Sequence, residues 1–233
     1  MSNYGLLVRN ADHEIQIDST YRNLSLDQEG ATTLHRSNSE TGYYHKLYIN
    51  SSHLVPVFLM QPPSNGFVAL RSYHKNNNNF DRIDIAPEKD GLLIDWQCYR
   101  ENRTPSNETY GFRVFNPNHN LCFDSGKHYF KIHSVHSLTL EPAYNQSLHY
   151  KDISHPDISN PYYILTPSSF CYEVWPVGST GYSNAFYYLM GLKKLSSTSV
   201  RVGWFLFLTE TWLAYTVKQF CVNNTVKLIV CRP

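Results

Sequence analysis

Residues 4–19 read YGLLVRNADHEIQIDS, and residues 110–125 read YGFRVFNPNHNLCFDS. Aligned without a gap, seven of the sixteen positions are identical: Tyr4/Tyr110, Gly5/Gly111, Val8/Val114, Asn10/Asn116, His13/His119, Asp18/Asp124 and Ser19/Ser125. A fainter echo follows in almost the same register. HKLYINSSHLVPVFL from His45 lies against YKDISHPDISNPYYIL from Tyr150, aligning Lys46 with Lys151 and Pro56 with Pro161. One short match arises by chance, but two in register mean two homologous units, so whatever one half folds into, the other must fold into as well.

Each copy has a local physical meaning. In the first, apolar and polar residues alternate on both sides of Asn10-Ala11-Asp12-His13, which predicts a hairpin around a four-residue turn. In the second, Asn116-Pro117-Asn118-His119 takes the same place, with Pro and Asn as turn formers. The closing Asp-Ser predicts an Asx or Ser turn at the strand end, and Gly5 and Gly111 a bulge or close backbone approach at its start. The rest of each half reads as short strands separated by breakers such as Gln61–Gly66 and Lys75–Asn79. About seven strands per unit at this spacing predict an all-β chain of two tandem β-sandwich domains, Ig-like or jelly-roll-like. We place the units at residues 1–106 and 107–233, with the linker at Asn102–Thr109; Phe186–Leu189 reads as a strand, and Ala185–Leu195 is the one segment that offers a short helix as the alternative. The second unit is longer, mainly through a loop at Trp175–Asn184.

Composition agrees with strands. The 233 residues suit one large or two small domains. They are 15% aromatic and only 17% charged, against a globular norm of roughly 25%. Twenty basic against nineteen acidic side chains exclude a global electrostatic grip on nucleic acid or an anionic membrane. The apolar stretch from Val202 to Val217 is interrupted by Thr209-Glu210-Thr211, too early for a membrane span. The five Cys residues (98, 122, 171, 221 and 231) contain no CxxC pair, so reduced, buried thiols are expected rather than a disulfide framework or a metal site. No basic segment leading into an apolar run opens the sequence, so a chain made in the cytoplasm without a secretory signal is expected. On that reading, the six Asn-X-Ser/Thr sequons carry no functional weight.

The search for chemistry returns little. No Walker loop, GxGxxG, HExxH or GxSxG occurs. Gly178–Ser183 is Gly-rich but has no Lys and no following helix, so it reads as a loop. His133 and His136 sit three apart on a predicted strand, which turns their rings to opposite faces and argues against a metal pair. Asp18 and Asp124 recur at equivalent positions, and a shared turn role explains them better than paired catalytic carboxylates. No catalytic, metal or cofactor site is therefore expected. Binding is the stronger expectation, because aromatic faces stack and Asn amides both donate and accept. The leading candidates are Tyr172, Trp175, Tyr182 and Asn184 around the longer loop; Tyr43, Tyr44 and the Asn76–Asn79 run are second.

The doubled Tyr-Gly … Asn … Asp-Ser hairpin resembles a family of tailed-phage and prophage proteins whose chains open with a YGLxVxN hairpin ending in DS. The resemblance covers the two hairpins. It implies a virion component of the tail-tip or tail-fibre region, assembled in the host cytoplasm against other phage tail proteins. It further implies a role in attachment to a host surface glycan or protein receptor. Such tips are built on threefold or sixfold symmetry, so a homotrimer is the implied oligomer, although no coiled-coil heptad in the sequence demands one. On this reading the first unit anchors and the second recognises. Two alternatives remain open: a free two-module carbohydrate-binding protein of lectin type, and a glycan-degrading enzyme.

Overall fold

The computed structural model describes residues 7–9, 15–18, 23–36, 43–101, 104–116, 118–144, 148–166, 168–177, 182–213 and 218–232. Among them every regular element is a strand, so the chain is all-β. The first half contributes β1 (Leu7–Arg9), β2 (Ile15–Asp18), β3 (Leu24–Leu34), β4 (His45–Ser52), β5 (Val57–Gln61), β6 (Val68–Asn76), β7 (Asn79–Pro87) and β8 (Leu92–Glu101). The second contributes β9 (Arg113–Phe115), β10 (Leu121–Asp124), β11 (Ile132–Thr139), β12 (Tyr150–Ser154), β13 (Tyr162–Thr166) and β14 (Phe170–Pro176). It ends with β15 (Tyr182–Ser196), β16 (Ser199–Leu213), β17 (Lys218–Val222) and β18 (Thr225–Cys231).

The repeat is written in the strand order. One antiparallel sheet runs β11-β18-β13-β5-β8-β3, and the other runs β12-β16-β15-β6-β7-β4. Reading each from its middle outwards, β5, β8 and β3 mirror β13, β18 and β11, while β6, β7 and β4 mirror β15, β16 and β12. The halves are thus related by a pseudo-twofold axis through the β5/β13 and β6/β15 contacts, and both sheets pass from one half into the other. Pro56 and Pro161 directly precede β5 and β13, and Lys46 and Lys151 are the second residues of β4 and β12, as the faint sequence echo aligns them. Among the described strands, only β14 and β17 have no counterpart. β14 pairs with β15 and carries β17 on its other edge.

Each half closes its own core between the two sheets. In the first, Phe58, Trp96 and Cys98 of one sheet meet Leu47, Ile83 and Ile85 of the other. In the second, Tyr163, Leu228 and Val230 meet Tyr188, Met190, Val202 and Trp204. Buried indoles need partners: Trp96 Nε1 donates to Thr32 Oγ1 at 3.0 Å, and Trp204 Nε1 donates to the Glu141 carbonyl at 2.8 Å. Two smaller clusters lie on the outer faces and cross the seam. Ala69 and Ala86 of the first half join Leu189, Phe205 and Phe207 of the second on the eight-stranded side. Leu59 and Tyr99 join Cys231 on the six-stranded side, packed against Phe130.

Several expectations need correction. Residues 185–195 form no helix; they belong to the 15-residue strand β15. Their near-continuous apolar run reflects a strand covered on both faces, since Tyr188 and Met190 enter the inner core while Leu189 joins the outer cluster. Cys171 and Cys221 are not free thiols but a disulfide between directly opposed residues of β14 and β17. Cys98, Cys122 and Cys231 are buried and free, as expected. β3 escapes sequence reading because LSLDQEGATTL is largely polar, as suits an edge strand. The apolar and polar residues of Trp212–Phe220 read as a further strand, and residues 214–217 within it lie outside the described residues.

At the seam the registered pairing is narrow: Met60 opposite Tyr163 in one sheet, Val68 opposite Leu192 in the other. Gly191 allows the second contact. A Cβ there would stand 2.6 Å from the Val68 carbonyl oxygen and 2.7 Å from Phe205 Cε1. Crossing hydrogen bonds reinforce the joint, from Lys194 N to the Pro63 carbonyl (2.9 Å), Gln61 Nε2 to the Asn160 carbonyl (2.7 Å) and Arg36 Nη2 to the Phe207 carbonyl (3.0 Å). Gly191→Ala should therefore force backbone apart at the joint and cost about 1–3 kcal/mol. Thermal denaturation followed by circular dichroism should show a melting temperature several degrees lower; an unchanged value would mean that the seam is looser than this.

Candidate functional site

The four leading sequence candidates do not form one cluster. Period-two alternation puts Tyr172 and Trp175, three residues apart on β14, on opposite faces. Trp175 stands opposite Asn184 on β15, and its indole N–H donates to the buried carboxylate of Glu173 at 2.9 Å. Glu173 also accepts from the Tyr188 hydroxyl at 2.8 Å, so this face is organised around a buried carboxylate. Asn184 accepts from Thr211, and Tyr182 begins the strand, half exposed. The loop between Val177 and Tyr182 lies outside the described residues.

Tyr172 belongs instead to a row of rings on the outer face of the eight-stranded sheet. Its register partners are Phe220 on β17 and Tyr187 on β15, and Tyr187 stands in turn opposite Leu208 on β16. Centroids lie 5.7 Å apart between Tyr172 and Phe220 and 6.1 Å between Tyr172 and Tyr187, with Phe170 5.8 Å from Tyr187. The row ends in an open cleft of about 330 Å³ above the fork where β14 and β6 diverge along β15. Phe170, Tyr187, Leu189, Phe207 and Leu208 wall it, and Arg71 and Glu210 supply its charges. That volume is at the lower end of small-molecule sites, which run from about 300 to 1,000 Å³.

The polar groups of the cleft are held in place. The Tyr187 hydroxyl donates to Glu210 Oε2 at 3.0 Å. Burial, with the Glu210 hydrogen bond and charge behind it, raises the Tyr187 phenol well above its ordinary range. The Arg71 guanidinium lies 4.5 Å above the Tyr44 ring and 5.7 Å from that of Phe207. Arg36 covers Tyr43 at 4.2 Å. Tyr43 and Tyr44, the second-ranked candidates, thus adjoin this face and not the Trp175 face. The Asn76–Asn79 run has a structural part: Asn77 and Asn78 both take positive φ (46° and 68°) as the two-residue turn between β6 and β7.

Sequence reading missed Arg71, Phe170, Tyr187, Phe207, Glu210 and Phe220. Alternation in Phe170-Cys171-Tyr172 marks the face, but its strand neighbours, as far off as Val222 opposite Phe170, are set only by the fold. Among the described residues no group of three or more His, Cys, Asp or Glu is placed to hold a metal ion, and no helix is long and apolar enough to cross a membrane. His133 pairs with Asp157 at 3.2 Å while His136 meets Ser134 at 3.0 Å, so the two histidines have separate partners.

The second copy of the hairpin is a distinct, rigid feature. Buried Asp124 accepts from Ser106 N (2.7 Å), Ser106 Oγ (3.0 Å), Arg113 Nε (3.0 Å) and Gly126 N (3.0 Å), the last closing the Asx turn. Gly111 has φ of 128°, and a Cβ there would collide with Ser125 Oγ. Around this lock Tyr110 is 91% exposed, and Phe112 and Phe115 are about half exposed. β2 of the first hairpin runs beside β10, so the two copies lie together. The Asp18 side chain is outside the described residues. No protein-family model, curated protein or solved structure matches the chain.

Burial alone would raise the Asp124 pKa, but the hydrogen bonds from Ser106, Gly126 and Arg113 outweigh it and hold the carboxyl far below the usual range. A depressed folded-state value means that its stabilisation is complete above the ordinary carboxylate pKa, begins to fall below it, and is lost only as pH drops through the folded-state value. Asp124→Asn should cost about 2–3 kcal/mol near neutrality and progressively less in acid. Urea unfolding at pH 7 and pH 3 measures this; an equal penalty at both would assign the loss to shape rather than charge.

Proposed function

We propose that this chain is a non-enzymatic structural component of a bacteriophage tail tip or tail fibre that contributes to attachment to the host surface. The observation that carries the reading is the doubled hairpin, whose second copy presents Tyr110, Phe112 and Phe115 to solvent from a backbone locked by Asp124. Exposed aromatic residues on a rigid support suit docking against a partner protein, where aromatic side chains are enriched. The hairpin pair is the anchor. It flanks the six-stranded sheet, where the segment from His128 to Phe130 is hydrogen-bonded to β3. The aromatic row lies on the outer face of the other sheet, where a host glycan or protein receptor can reach it. Its partners on the particle are other tail proteins, with the chain itself as a homotrimer.

A second reading, a free lectin, is favoured by the same aromatic row, since it needs no particle. Immunogold electron microscopy with antibody to this chain separates the two. Particles released by the strain that encodes it should carry label at the tail tip or fibres. Unlabelled particles, with the protein free in the lysate, would overturn the tail reading in favour of the lectin.

A further inference from the structure

The geometry points to the outer-face row Phe220–Tyr172–Tyr187 and the adjoining cleft as a binding track for an uncharged polysaccharide. One sugar ring sits between Arg71 and Glu210, and its neighbours stack towards Phe220. This deepens the attachment reading by assigning it a ligand class and a surface.

Three features carry it. The first is extent: Phe220, Tyr172, Tyr187 and Leu208 are register partners on four successive strands, so the row spans three interstrand steps, about 14 Å. That exceeds one small molecule and suits a linear chain laid across the strands. The second is chemistry. Ring faces on a flat sheet offer stacking surface to the C–H faces of sugar rings, and Phe220 is half exposed at the open end. The third is charge. One guanidinium and one carboxylate line the cleft together, and their charges cancel. A sugar hydroxyl both donates and accepts, so it can hydrogen-bond to the carboxylate and the guanidinium at once, whereas a charged ligand would meet one of them in repulsion. The row also coincides with the part of the fold that breaks the repeat: Phe170 and Tyr172 come from β14 and Phe220 from β17, the two strands without a counterpart.

Native affinity electrophoresis of the whole purified chain tests this, in gels containing dextran, mannan or galactan, with alginate as the acidic control. At least one neutral polymer should retard the protein and alginate should not. Tyr172→Ala and Phe220→Ala should each weaken retardation about tenfold, with thermal melting showing that both variants fold. Trp175→Ala, on the opposite face of β14, should leave it unchanged. No retardation by any neutral polymer, retardation by alginate alone, or equal retardation of wild type and both row variants would each overturn the assignment. Failure here is distinguishable from failure of the tail reading. Labelled tails without retardation overturn only the polysaccharide track, and retardation without labelled tails overturns only the tail.

Discussion

The outer face of the larger sheet exists because β6 and β15 approach each other more closely than side chains normally permit. Val68 O lies 2.6 Å from where a Cβ on residue 191 would stand, closer than a Cβ contact allows, and glycine avoids that clash. Through this contact, and the Met60–Tyr163 contact in the other sheet, two units with separate cores become one pair of continuous sheets. Neither unit alone would carry the cleft. Arg71 comes from β6 in the first half and every other lining residue from the second. The close approach therefore has a geometric consequence beyond stability: it brings a guanidinium from one copy of the repeat to an aromatic wall built by the other.

Much of this was legible in the sequence, and what was not has physical reasons. The repeat predicted related halves, and the palindromic strand order displays that relation. The Asx turn after β10 follows from Asp-Ser at a strand end, and the close approach at Gly111 from glycine at its start. Local chemistry was readable because it is local. Failures came where long-range pairing decides. The run Ala185–Leu195 has helical as well as extended spacing, and only pairing with β14 and β16 makes it a strand. The disulfide joins residues 50 apart, placed opposite one another by a pairing that no spacing rule reveals. The candidate ligand residues do not form one cluster for the same reason: Tyr172 and Trp175 are neighbours in sequence but belong to different faces.

Pseudosymmetry also sharpens where function is to be sought. Elements shared by both halves are explained by the need to close two equivalent cores and join them. β14 and β17 reach the second core through Cys171 and Cys221, whereas the first core closes without any equivalent strands. Their outward residues are Phe170, Tyr172, Phe220 and Val222, whereas their inward residues Cys171 and Cys221 are tied to each other. An insertion that presents aromatic rings outward and fixes itself inward is built to hold a surface in place.

That inward fixation bears on the surface itself. β17 is an edge strand whose described pairing is to β14 alone, over five residues, with Cys171–Cys221 among the opposed pairs. Tyr172 and Phe220 are the next opposed pair along the ladder, on the other face. The cross-link therefore lies beside the row and restricts how far the Phe220 end can move from the Tyr172 end. Order imposed before binding lowers the entropic cost of binding, so under the proposed polysaccharide reading a row held in this way would retain more of its stacking energy as affinity. The same bond makes the row depend on redox compartment. In a reducing cytoplasm β17 is held by backbone pairing and the Phe220–Tyr172 contact, and the covalent constraint arises where thiols are oxidised.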